Sequence, residues 1–194
     1  MSDVTIQRGL PDRWRPAAAQ LYYEAFRLKT NFLFGTRERT LAVLQRDFAA
    51  EQALIAAQAD RLVGIAGIYH GRPLLEVRFQ TYVRVFGGLA AVGRYVLAVV
   101  VHRSPRRGEL LMDGIAVDET VRGQGIGSKL LHAVFDFART HDYGTVRLDV
   151  VDTNVRARQL YERLGFVATH TQRLPLKRDW LGFTASTTMI KSLN

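Results

Sequence analysis

The clearest chemical signal in the chain is the run Val121-Arg122-Gly123-Gln124-Gly125-Ile126-Gly127-Ser128-Lys129. Glycines at alternate positions let the backbone come close to a ligand, and N–H groups at a helix start point outward with partial positive charge. Together they suit phosphate groups, with Arg122 and Lys129 adding charge at the rim. Three readings compete. A P-loop needs Gly-Lys followed by Ser or Thr after its gap, and the order Gly127-Ser128-Lys129 fails it. The dinucleotide fingerprint matches in part, since the position that should carry its last glycine holds Ser128, and the loop lies late in the chain. Glycines that serve only a tight turn are the third reading.

Other chemistries are thinly supplied. The chain has no cysteine, which removes disulfides, thiolate metal sites and thioester-forming nucleophiles. Its five histidines lack metal-ligand spacing, so no metal is expected. No Ser/His/Asp pattern stands out for hydrolysis. Glu109 and Asp113 share one strand face by their even spacing, and Asp149 lies on the neighbouring strand.

These residues need elements to hold them. Val4 and Ile6 read as a strand, and Asp12 opens a helix with Trp14, Ala17, Ala18, Leu21, Tyr22 and Ala25 on one face. A second helix runs from about Thr36 to Phe48, and Ala53–Gln58 with Leu62–Tyr69 form a hairpin about Ala59-Asp60-Arg61. Segment 73–107 holds apolar helical stretches at Gln80–Phe86 and Leu89–Val101, broken by Gly87-Gly88, and ends in the basic turn from His102 to Arg107. Then come a strand at Leu110–Val117, a helix at Gly127–Ala138, a strand at Val146–Val151, and a helix at Val155–Leu164 closed by Gly165. Phe166–Thr171 and Phe183–Lys191 are the final strands. The strand–helix–strand–helix order implies a right-handed crossover and a parallel pair in a mixed sheet.

Arg122-x-x-Gly125-x-Gly127, following Gly114-Ile115-Ala116-Val117-Asp118, resembles the pyrophosphate-binding signature of the GCN5-related N-acetyltransferases. A second signature of that family follows in Asn154-x-x-Ala157-x-x-Leu160-Tyr161-x-x-x-Gly165-Phe166, and Met189 to Leu193 looks like its last strand. The resemblance implies an α/β fold with a mixed, mostly antiparallel central sheet, a splayed parallel strand pair and flanking helices. It implies an N-acetyltransferase that moves an acetyl group from acetyl-CoA, a cosubstrate, to a primary amine of a small molecule or peptide by direct attack. Arg122, Gly123, Gln124, Gly125, Ile126, Gly127 and Ser128 would take the pyrophosphate. Ile115, Ala116 and Val117 would pair with the pantetheine arm, and Asn154, Ala157 and Arg158 would complete the cofactor site. The family's tyrosine at the place of Tyr161 protonates the leaving thiolate, a role a phenol with pKa about 10 suits; the same position also fits a core residue. Asn154 either caps its helix or bonds the pantetheine. A carboxylate would help the amine lose its proton. Resemblance to members with a glutamate near this strand's start favours Glu109 over Asp113 and Asp149, and each of the three could equally be a substrate-recognition carboxylate or a solvated strand-end charge.

The chain has 194 residues, 47% of them hydrophobic, which excludes disorder and supports one domain; the resemblance implies that this is a single N-acetyltransferase domain over 1–194, with an atypical helical insertion at about 73–107. The net charge of +9 points to anionic partners. Nucleic acid is not expected, because aromatic and basic residues do not interleave in a recognisable module. Nor is a membrane partner. Val85–Val101 falls short of the ~20 apolar residues a span needs and is interrupted by Arg94, so a buried or ligand-covering helix is expected there. The N-terminal MSDVTIQRGLPDRW lacks the apolar region of a secretory signal, giving a cytoplasmic expectation. Segment 73–107 could wall the acceptor pocket, form a homodimer contact or cover a sheet face. The alternative function is a non-catalytic acyl-CoA sensor.

Overall fold

A computed structural model describes residues 3–76, 78–101, 103–173 and 182–193, leaving His102 of the basic turn outside the described residues. Seven strands make one sheet: β1 (Val4–Arg8), β2 (Ala53–Gln58), β3 (Arg61–Tyr69), β4 (Glu109–Val117), β5 (Thr145–Val151), β6 (Val167–Arg173) and β7 (Ala185–Ser192). Their order is β1-β2-β3-β4-β5-β7-β6, and every neighbouring pair is antiparallel except β4 with β5. The sheet is therefore mixed and mostly antiparallel, with one parallel pair. The β2–β3 hairpin turns through Ala59 and Asp60, both at positive φ (46° and 59°), the geometry that matches strand twist in a tight hairpin.

Helices cover both faces. α1 (Arg15–Phe34) and α2 (Arg37–Asp47) lie on one side, burying Ala18, Ala19, Tyr22 and Leu44 against Ile55, Ile65 and Ala116. α1 runs well beyond Ala25, continuing through a kink at Phe26 (φ −122°, ψ 22°). The hairpin α3 (Phe79–Phe86) and α4 (Gly88–Val101) packs Tyr82 and Ala91 against Leu33, Phe34 and Val43 from α1 and α2. The α3–α4 hairpin thus covers the outer end of α1 and α2. On the opposite face α5 (Ile126–Thr140) buries Leu130, Leu131, Val134 and Phe135, and α6 (Val155–Arg163) adds Tyr161.

β5 shows how the sequence divides the two sides. Val146, Leu148 and Val150 enter the α5 core, and strand alternation sends Arg147 and Asp149 to the other face.

Candidate active site

The parallel pair holds together only at its start. Glu109, Leu110 and Leu111 pair with Thr145, Val146 and Arg147, and among the described residues no further β4–β5 pairs form. β3 goes on pairing with β4 up to Val117, while β7 pairs with β5 up to Val151. The two strands therefore diverge into an opening, and alternate backbone groups of β4 between Met112 and Val117 face it without a strand partner. Buried backbone polar groups need partners, so such an edge suits an extended, amide-bearing chain. Ile115, Ala116 and Val117 lie along it.

The glycine loop sits just past the open end of β4. Asp118 fixes the connection: its carboxylate accepts from the Thr120 backbone N–H at 2.9 Å and hydroxyl at 2.6 Å, and it pairs with Arg61. Thr120's hydroxyl, with Arg61 adding to it, holds the Asp118 carboxyl below its usual range. Gly125 caps α5 in the left-handed region (φ 78°, ψ 4°) and offers no side-chain cap. The first-turn N–H groups are thus left for an external acceptor, and no acidic residue of that turn neutralises their partial charge. Nothing lies within 4 Å of where a Cβ would stand on Gly123 or Gly125, so the cradle is open. Gly127 has a different reason to be glycine: a Cβ there would meet Leu160 at 3.1 Å, so its absence lets α5 approach α6. Arg122, Gln124 and Lys129 are exposed, Ser128 is half-buried, and the Ile126 side chain is core.

Asn154 caps α6, its carbonyl oxygen accepting from the Ala157 N–H at 3.2 Å. Arg158 is exposed and pairs with Glu162 one turn on, at 2.9 Å. Tyr161 is 5% exposed and packs edge-on against Phe166, ring centroids 5.8 Å apart. Burial pushes its hydroxyl well above the usual phenol range, which keeps it protonated but makes it a weaker acid.

On the α1 face the charged groups gather. Glu109 lies at the closed start of the strand pair, only 5% exposed, in an ion pair with Arg147 at 3.0 Å. It also accepts from the Arg106 backbone N–H at 3.1 Å, while Arg147 donates to the Ser104 carbonyl at 3.0 Å. Asp113 stands in a β-bulge: Gly67 pairs with Gly114 and Ile68 with Met112, which leaves Asp113 opposite neither. Its carboxylate accepts from the Leu74 N–H at 2.7 Å. Asp149 accepts from the Thr188 hydroxyl at 2.5 Å and pairs with Arg103. A pocket of about 170 Å³ opens here, lined by Arg103, Arg147, Asp149, Gln172, Ser186 and Thr188. Lys29 of α1 feels the same cluster.

The structure thus puts the glycine loop at the end of the open β4 edge and against α6 through Gly127 and Leu160, with Asp113 on the parted stretch of β4. It holds Glu109 apart in the closed end. Arg147, Gln172, Ser186 and Thr188 were not singled out from sequence; for Arg147 the signal was present, a charge alternating with Asp149 along an otherwise apolar strand.

A sequence model described as the acetyltransferase (GNAT) family matches residues 17–166. The chain belongs to the GNAT acetyltransferase family. The match spans α1 through Phe166 and so contains both signatures and the opening between β4 and β5. Among curated relatives, a mycothiol acetyltransferase of Acidimicrobium ferrooxidans is 48% identical over 56 residues, 29% of this chain and 18% of that protein. A probable N-acetyltransferase camello of Xenopus tropicalis is 37% identical over 79 residues, 40% of this chain and 36% of that protein. The likeness therefore spans well under half of either relative. Among solved structures, a putative acetyltransferase from Salmonella typhimurium with its cofactor acetyl-CoA matches with a TM-score of 0.62 at 20% identity, covering 98% of this chain and 94% of that one. The GNAT fold is shared along almost the whole length.

Proposed function

We propose that this GNAT protein transfers an acetyl group from acetyl-CoA to a primary amine of a small molecule or peptide, by direct attack. One observation carries the reading: β4 and β5 part after Leu111 and Arg147, and the parted edge leads straight to a helix start without a side-chain cap. The open cradle at Gly123 and Gly125 fits a pyrophosphate, and the β4 edge at Ile115 to Val117 fits a pantetheine arm. Acetyl-CoA supplies the activated acyl group as a thioester.

This chain's residues then do four things. The N–H groups from Arg122 to Ser128 hold phosphate oxygens. A β4 backbone N–H at the gap donates to the carbonyl oxygen, where preorganised donors stabilise developing negative charge. Tyr161, a phenol protonated at neutral pH, gives its proton to the departing sulfur. Asp113, standing at the bulge, takes the amine proton directly or through water, while Glu109 neutralises Arg147 and keeps the closed end of the strand pair in place. We place the acceptor on the α1 face, in and around the pocket between Arg103, Asp149 and Thr188.

Asn154 and Arg158 contribute at the same mouth, Asn154 by holding the start of α6 and Arg158 as an exposed cation beside it. With no cysteine in the chain, a thioester-linked enzyme intermediate has no residue to form on. Initial rates measured with both substrates varied should give intersecting reciprocal plots. Parallel plots would mean a covalent acetyl-enzyme and would overturn direct attack.

A further inference from the structure

Segment 77–108 contains six arginines and no aspartate or glutamate. It carries α3 and α4, and α4 leaves an apolar stripe uncovered: Leu89 is 91% exposed, Val92 47%, Val96 55% and Val99 55%. Their spacing of three, four and three residues puts all four on one side of a helix. The other side is docked. Ala91 is buried, Tyr95 and Ala98 pack on the cluster of Leu33, Phe34, Val43 and Tyr82, and the Arg94 guanidinium donates to the Phe32 carbonyl at 2.6 Å. Phe79 and Val83 of α3 are also 43% and 42% exposed, and the Phe79 ring meets Tyr95 edge-on at 5.3 Å. Arg84, Arg106 and Arg107 are exposed at either end of this apolar run.

We infer that the α3–α4 hairpin adsorbs to the surface of an anionic phospholipid bilayer, its stripe in the acyl boundary and Arg84, Arg106 and Arg107 on headgroup phosphates. An apolar helix side flanked by exposed cations, here Arg84 before it and Arg106 and Arg107 after it, suits the bilayer interface. Crossing is excluded for α4, whose 14 residues fall short of the ~20 a span needs. A second copy of the chain fits the patch poorly. Arg78 is paired with Glu76, Arg94 with the Phe32 carbonyl and Arg103 with Asp149, but two stripes face to face would still bring together Arg84, Arg106 and Arg107 of each copy, six exposed cations with no acidic residue of the segment to offset them. Lipid headgroups supply the missing negative charge. This inference does not depend on acetyl transfer.

The test is co-sedimentation of the full chain with phosphatidylglycerol vesicles and with phosphatidylcholine vesicles. Binding to phosphatidylglycerol should be at least about tenfold stronger, and should weaken as salt rises from about 0.1 M to about 0.5 M. Leu89→Glu with Val96→Glu should weaken it at least about tenfold with circular dichroism unchanged. Arg84→Gln, Arg106→Gln and Arg107→Gln together, all exposed, give a second variant with the same expected loss if the first fails to fold. No binding to phosphatidylglycerol, equal binding to both lipids, or undiminished binding by the folded variants would overturn the inference. So would a concentration-dependent dimer that Val96→Glu dissociates, which would assign the stripe to a second copy.

Discussion

Replacing Glu109 with Gln separates a supporting carboxylate from a catalytic one. Glu109 and Arg147 are 3.0 Å apart with side chains only 6% and 11% exposed, so the substitution leaves a guanidinium charge in a site with little water. Breaking a buried pair from one side costs about 3–5 kcal/mol. For a chain of 194 residues, where each kcal/mol moves Tm by ~2–4 °C, the melting point should fall by about 6–20 °C. Below that transition kcat should stay within about a factor of three, a barrier change under ~1 kcal/mol. Glu109→Leu combined with Arg147→Met removes both charges and should recover most of the lost stability. Differential scanning calorimetry and steady-state kinetics on the same preparations decide it. A Glu109→Gln protein that melts like the parent but has lost about 100-fold or more in kcat would refute the reasoning and make Glu109 the base.

Tyr161→Phe should lower kcat by about 10²–10⁴-fold while calorimetry shows acetyl-CoA affinity within about twofold; unchanged kcat would leave Tyr161 a core residue only. Gly125→Ala forces a side chain into the left-handed region at φ 78°, at about 1–2 kcal/mol, so both Tm and CoA affinity should drop. His70 gives a pH prediction. Burial, then the charges of His141 and Arg8, hold its imidazole below the ordinary value, and its Nδ1 lies 2.9 Å from the Tyr143 hydroxyl. Below about pH 6.5 the unfolded chain takes up that proton first, so stability falls as pH drops toward the folded-state value. Urea midpoints at about pH 7.5 and about pH 5 should show a loss that His70→Gln reduces.

What could be read from sequence was local. The glycine loop, the Asn154 cap, the Gly165 stop and the hairpin at Ala59-Asp60 are each fixed within a few residues by backbone constraints, and the structure has them in place. α1 escaped in part because a kink at Phe26, not a breaker residue, divides it. The bulge at Asp113 was invisible because register depends on what β3 presents opposite. The Glu109–Arg147 pair joins residues on two strands separated by a helix, so local spacing carries no sign of it. The family resemblance named the chemistry to expect, and the partners of Glu109, Asp113 and Asp149 came only with three-dimensional neighbours.

Release of free CoA thiol from acetyl-CoA on addition of a panel of primary amines, small and peptidic, bears most directly on the proposed transfer. The chain itself has no thiol to react with the reporter. Saturable release that depends on an amine, and that Tyr161→Phe suppresses, is the predicted result. Tight binding of acetyl-CoA with no amine-dependent release anywhere on the panel would contradict catalysis and leave an acyl-CoA sensor.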